Sequence, residues 1–171
     1  PHGTGIETSA NGDKYEGNWE KGFKHGKFSI THPDDATSTI PFIEGKKHGL
    51  HIENRPASDM HKHNGIEIMT PYKDDKIHGE QTITVHQSDR TKKITTLTYN
   101  QGKYHGKQTT TVFDDNGKKI YQIIANYKDG SLHGQKIYTT YDAEGNQTNQ
   151  TITHYENGEE IPNSQTPGSH L

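Results

Sequence analysis

Thirteen histidines, in a chain of 171 residues with no cysteine, are the first residues whose chemistry has to be weighed. An imidazole can ligate zinc, carry protons or activate a nucleophile, and spacing decides among these roles. Six of them, His2, His25, His48, His78, His105 and His133, are each followed by glycine and recur every 23 to 30 residues. Placed once per two-stranded repeat, such histidines lie about 10 Å apart. A shared zinc needs every donor within ~2.1 Å of one ion. These six therefore read as turn-packing residues, each followed by a glycine that permits close approach or positive φ. His61 and His63 are better placed, since residues i and i+2 of a strand face the same way, and His51 is a potential third neighbour. No carboxylate or thiol motif accompanies them, and the expected cofactor is none.

Catalytic patterns are missing as well. The chain has no Gly-x-Ser-x-Gly, no His-Glu-x-x-His and no phosphate loop, so none of the recognisable nucleophile, zinc-hydrolase or nucleotide sites is encoded. Asp34-Asp35, Asp74-Asp75 and Asp114-Asp115 are carboxylate pairs, but adjacent strand residues point to opposite faces, and these read as solvated turn formers. Asn146-Gln147-Thr148 and Asn149-Gln150-Thr151 match glycosylation acceptors. Threonine runs such as 82–85, 109–112 and 151–154 are what a solvent-facing strand prefers; an ordered-water surface is the sharper alternative, and it needs a flat sheet. The chain reads as a non-enzyme.

The elements that position these residues are copies of one stretch, Tyr15 to Phe28. Its skeleton is an aromatic, a glycine three residues on, and His-Gly three further: Trp19, Gly22, His25-Gly26. It returns as Phe42-Gly45-His48-Gly49, Tyr99-Gly102-His105-Gly106 and Tyr127-Gly130-His133-Gly134, with a worn copy at Tyr72-Asp75-His78-Gly79 and a partial one at Tyr155-Gly158. Self-similarity at this period signals a repeat array. Apolar residues alternate in each copy around Gly, Asn or Asp turns, which is the hairpin signature. The pattern predicts an all-β array of antiparallel hairpins forming one elongated, twisted sheet over 1–161, with a flexible tail at 162–171. Phe28, Ile30, Ile83, Val85 and Val112 share one face by their offset from the histidine. Leu50 and Ile52 fall one step out of phase, so that unit is bulged or shifted.

Trp19, Phe42, Tyr72, Tyr99, Tyr127 and Tyr155 hold equivalent positions in this scheme. Stacking aligns them as the hydrophobic seam of the array, or as an aromatic face for a protein partner, since Tyr and Trp dominate interface hot spots.

The pattern Tyr-Glu-Gly-x-Trp-x-x-Gly-x-x-His-Gly, matched throughout Tyr15 to Gly26, resembles that of MORN repeats (membrane occupation and recognition nexus). The 23-residue spacing of His2, His25 and His48 is the usual MORN length. The later spacings of 30, 27 and 28 resemble the bacterial variant found in proteins labelled YwqK-family antitoxins. The resemblance covers roughly residues 1–160. It implies β-hairpin units that build scaffolds, dimerise or sit beside catalytic domains, rather than active sites.

Composition bounds the partner. Only 25% of residues are hydrophobic, a thin core that a stacked array tolerates because each unit relies on its neighbours. A net charge of −3 offers no basic field for nucleic acid or anionic lipid, and no apolar run reaches membrane-spanning length. The chain starts inside a repeat and without methionine, which reads as a processed or excised form. The expected function is a non-enzymatic protein-binding or scaffold module using a concave aromatic face, neutralisation of a partner protein being one version. The alternative is a targeting or oligomerisation segment of a larger protein. Edge strands at each end invite homodimer formation or pairing with a partner.

Overall fold

The computed structural model describes residues 1–57 and 63–162. There the chain is one open antiparallel sheet of successive hairpins, without a helix and not closed into a barrel. In chain order the strands are β1 (Gly3–Thr8), β2 (Lys14–Glu20), β3 (Phe23–Thr31), β4 (Thr37–Ile43), β5 (Lys46–Lys47), β6 (Gly49–Arg55), β7 (His63–Lys73), β8 (Lys76–Ile77), β9 (Gly79–Gln87), β10 (Lys92–Asn100), β11 (Lys103–Phe113), β12 (Lys119–Lys128), β13 (Ser131–Tyr141), β14 (Gln147–Glu156) and β15 (Glu159–Ile161). They follow one another across the sheet in that order, except that β5 and β8 are short stubs pairing back on β4 and β7. Of the tail expected at 162–171, residues 163–171 lie outside the described residues.

The repeat skeleton acts mainly between units. Lys21-Gly22, Glu44-Gly45, Asp74-Asp75, Gln101-Gly102, Asp129-Gly130 and Asn157-Gly158 all take positive φ, the requirement of a two-residue type I′ turn. At each of these turns the N–H of the second residue donates to a carbonyl of the preceding unit. The acceptors are Pro1, Lys24, Lys47, Ile77, Tyr104 and Leu132, at 2.8–3.0 Å, and each acceptor directly precedes a motif histidine. Asp75, which replaces the glycine, keeps φ at 65° and its carboxylate accepts the Lys47 N–H at 2.8 Å. The histidines pack on the same edge. His2 and His78 accept backbone N–H groups of Lys21 and Gln101 at 3.2 and 3.4 Å. His48 and His105 stand 3.5 and 3.8 Å from the carboxylates of Asp74 and Asp129.

The glycine after each histidine sits directly opposite the aromatic of the next unit: Gly3 and Trp19, Gly26 and Phe42, Gly49 and Tyr72, Gly79 and Tyr99, Gly106 and Tyr127, Gly134 and Tyr155. All six glycines have φ between 78° and 107°, where a side chain is strained. His-Gly is thus an edge clasp followed by a bare position beside a ring.

The core is densest in the N-terminal half. Trp19, Phe28, Ile30, Ile40 and Phe42 are buried together, with Tyr15 and Tyr72 packed against them. Trp19 and Phe42 meet Phe28 edge-on at centroid distances of 4.9 and 5.3 Å, a favourable geometry for aromatic quadrupoles. Further along, hydroxyls replace hydrocarbon: Thr70, Thr111 and Thr139 are buried, and each accepts a hydrogen bond from a neighbouring-strand glutamine, Gln81, Gln122 and Gln150 respectively. Burial is tolerable there because the polar atom is satisfied. Leu50 and Ile52 lie opposite Pro71 and Met69, on the reverse face from Phe28 and Ile40, as their phase requires.

Candidate functional site

Residues directly opposed in an antiparallel pair share a face, so the register assigns every side chain. Tyr15, Ile30, Ser38, Glu53, Ile68, Ile83, Thr95, Thr110, Ile123, Tyr138 and Thr151 form one unbroken file across the sheet. Trp19, Phe42, Tyr72, Tyr99, Tyr127 and Tyr155 each lie four residues along the same strands, hence on that same face and in a parallel row. Tyr104 joins them opposite Tyr99, and Tyr121 stands opposite Thr140 on the same face. Eight of the nine tyrosines are thereby gathered on one side of the sheet, Tyr141 excepted.

The row divides into two halves. Trp19 and Phe42 are buried in the core cluster. Lys24 closes over this end, its ammonium 4.3 Å from the Tyr15 ring and 2.7 Å from the Glu7 carboxylate. Lys47 lies 5.2 Å from the Tyr72 ring. Beyond them the strip stays part-exposed. Ile77, Tyr104 and Leu132 fill the gaps opposite Tyr72, Tyr99 and Tyr127, giving an apolar line that ends at Tyr155. Tyr104 bridges its neighbours at 4.6 and 5.7 Å between ring centroids, and is 39% exposed. Partial burial pushes the phenols of Tyr72, Tyr99 and Tyr127 above their ordinary value, because the anion would lose hydration. They are neutral hydrogen-bonding rings at any physiological pH.

Strands β9 to β14 place no carboxylate on this face, whereas Lys93 and Lys136 stand there. Beside the row, a groove of about 190 Å³ is lined by Gln108, Thr110, Ile123, Ala125, Tyr127, Leu132 and Lys136. The arrangement offers apolar and aromatic contact, amide and hydroxyl groups and a cation.

Of the metal candidates, His61 lies outside the described residues. His63 sits at the start of β7 and its Nδ1 accepts the Gly65 N–H at 3.3 Å. His51 packs on Tyr72 at 6.1 Å, with Nε2 buried and no hydrogen-bond partner among the described residues. No group of three potential ligands occurs among the described residues.

One constellation was not anticipated. Asp13 Oδ1 lies 2.8 Å from His32 Nδ1, and His32 Nε2 lies 2.7 Å from Ser38 Oγ. That order of atoms is the order of a serine-hydrolase relay. Ser38, however, is 2% exposed and lies in β4 with strands paired on both sides, opposite Ile30 and Glu53, so its backbone belongs to the ladder rather than to an oxyanion hole. The relay joins the β1–β2 turn, the β3–β4 turn and β4. The hydrogen bonds to Asp13 from His32, and then from Asn11, hold its carboxyl below the usual range. Its signal was present in the sequence only through register: Asp13 and His32 lie one step beyond the Lys14 and Thr31 pair.

No family model matches the chain, and no curated protein matches it significantly.

Proposed function

We propose that the chain is a MORN-type repeat array that binds another protein through its tyrosine face and carries out no chemistry of its own. The observation behind this is the collection of eight of nine tyrosines on one side of a sheet that has no second layer among the described residues. Tyrosine supplies large contact area at low entropic cost, and a sheet needing only a core would have no reason to prefer phenols to Leu or Val. Neutralisation of a partner protein, as the antitoxin-like repeat lengths suggest, is one specific form. A second reading, an oligomerisation or targeting segment of a larger protein, is favoured by the open edge of β1, where Ile6 is 69% exposed.

Affinity capture separates the two. Tyr99→Ser/Tyr127→Ser should lose a stoichiometric partner that wild type and the reverse-face variant Thr96→Lys both retain. Retention by the folded tyrosine variant, with loss on Ile6→Lys, would instead support edge pairing.

A further inference from the structure

The tyrosine strip has a pitch, and the pitch constrains what can lie along it. Tyr72, Tyr99, Tyr127 and Tyr155 occupy every second position in the main strand order, and strands lie ~4.8 Å apart, so one tyrosine recurs about every 9.6 Å. A polyproline II helix advances ~3.1 Å per residue with three residues per turn, or about 9.3 Å per turn. It therefore presents the same side to each successive tyrosine. A β-strand cannot, because successive side chains point to opposite faces and about 9.6 Å spans three residues, so neighbouring tyrosines would meet opposite faces. An α-helix, with a pitch near 5.4 Å, does not match either.

The strip has the other features such a ligand requires. Of the glycines opposite the four tyrosines, Gly106 and Gly134 leave an uncrowded backbone position, whereas the rings of Pro41 and Pro71 stand against Gly49 and Gly79. Aromatic-lined grooves are the usual receptors of proline-rich segments. The groove beside Tyr127 pairs apolar walls from Ile123 and Leu132 with the amide of Gln108 and the ammonium of Lys136. Charge decides the remainder. Strands β9 to β14 give this face Lys93 and Lys136 and no carboxylate, against a chain whose net charge is −3. Complementarity favours an acidic partner.

We infer that the face takes a proline-rich segment bearing acidic residues, bound as a polyproline II helix across the strands from β7 to β14. The inference rests on the proposed protein-binding role and names the chemistry of the partner.

Fluorescein-labelled (Pro-Pro-Glu)6 is the probe, with (Pro-Pro-Lys)6 and (Gly-Ser-Glu)6 as controls, read by fluorescence polarisation against the whole chain. The proline-glutamate peptide should bind, and both controls should bind at least about tenfold more weakly. Tyr99→Ser/Tyr127→Ser should weaken it by about tenfold or more. Lys136→Glu, an exchange on the rim of the groove, should also weaken it and keeps the test decisive if the double variant unfolds. Equal binding of (Gly-Ser-Glu)6, no binding of (Pro-Pro-Glu)6, or indifference to Lys136→Glu would each overturn the inference. If the peptide fails while partner capture still depends on Tyr99 and Tyr127, only the ligand class is wrong. If capture too ignores these residues, the face itself is wrong.

Discussion

At the scale of single residues, Gly17 shows how far one position can set its surroundings. The Phe28 ring lies over it so closely that a Cβ at Gly17 would stand 2.6 Å from the ring carbon Cγ, and Phe28 is fully buried against Trp19 and Ile40. Nothing flexible can yield, because the obstructing atoms belong to a rigid ring wedged between two others. Gly17→Ala is expected to destabilise the chain by about 1–3 kcal/mol, the range for overpacking a filled core, read as a lower urea midpoint at unchanged slope. The glycine is absent from the later units because their partner is different. The positions equivalent to Gly17 in the units with a full His-Gly are Ile40, Thr70, Leu97 and Ala125, and those equivalent to Phe28 are His51, Gln81, Gln108 and Lys136. A bulky ring over glycine is exchanged for a medium side chain beside a polar one. In sequence this looks like erosion of the motif, while in space it is a paired substitution across neighbouring strands.

At the scale of elements, the hairpins were legible because turn chemistry and period-two alternation are local. The inter-unit hydrogen bonds were not, since a carbonyl one residue before a histidine carries no sequence mark. The aromatic row was legible from repeat spacing alone, but its division was not. Trp19 and Phe42 are buried where Lys24 closes over this end from β3, between their two strands, and Tyr15 packs against the same cluster. The Asp13, His32 and Ser38 relay was invisible for the same reason, since it connects two turns that meet only once register is fixed. It makes an acid-sensitive joint. Asp13 has a folded value below its ordinary 3.8, so its stabilisation is complete above that range and is lost as pH falls through the lower folded value. His51 adds a separate limb. Burial, the largest cause, lowers its affinity for a proton below the ordinary 6.5, so the unfolded chain protonates first and stability declines as pH drops below about 6.5. Urea midpoints measured against pH should therefore show two limbs. His51→Gln should remove the upper limb and Asp13→Asn the lower one. A lower limb unchanged in Asp13→Asn would show that the relay does not fasten these turns.

At the scale of the whole molecule, the sheet is sustained by a sum of neighbour contacts, and no second layer covers its faces among the described residues. This explains how a chain with 25% hydrophobic residues folds: each strand finds its partner immediately in sequence, and satisfied Thr and Gln pairs stand in for hydrocarbon in the later units. It also leaves the tyrosine face available, and on that availability the functional account depends. The most direct measurement is tyrosine nitration of the isolated chain, mapped by mass spectrometry at a concentration where sedimentation shows a monomer. The account predicts rapid modification of Tyr104 and Tyr138, which are 39% and 38% exposed, slower reaction at Tyr72, Tyr99 and Tyr127, and protection of Tyr104, Tyr72, Tyr99 and Tyr127 once a partner or the proline-glutamate peptide is bound along the strip. Protection of Tyr104 and Tyr138 in the free monomer would mean that the chain covers this face itself, and would contradict the account.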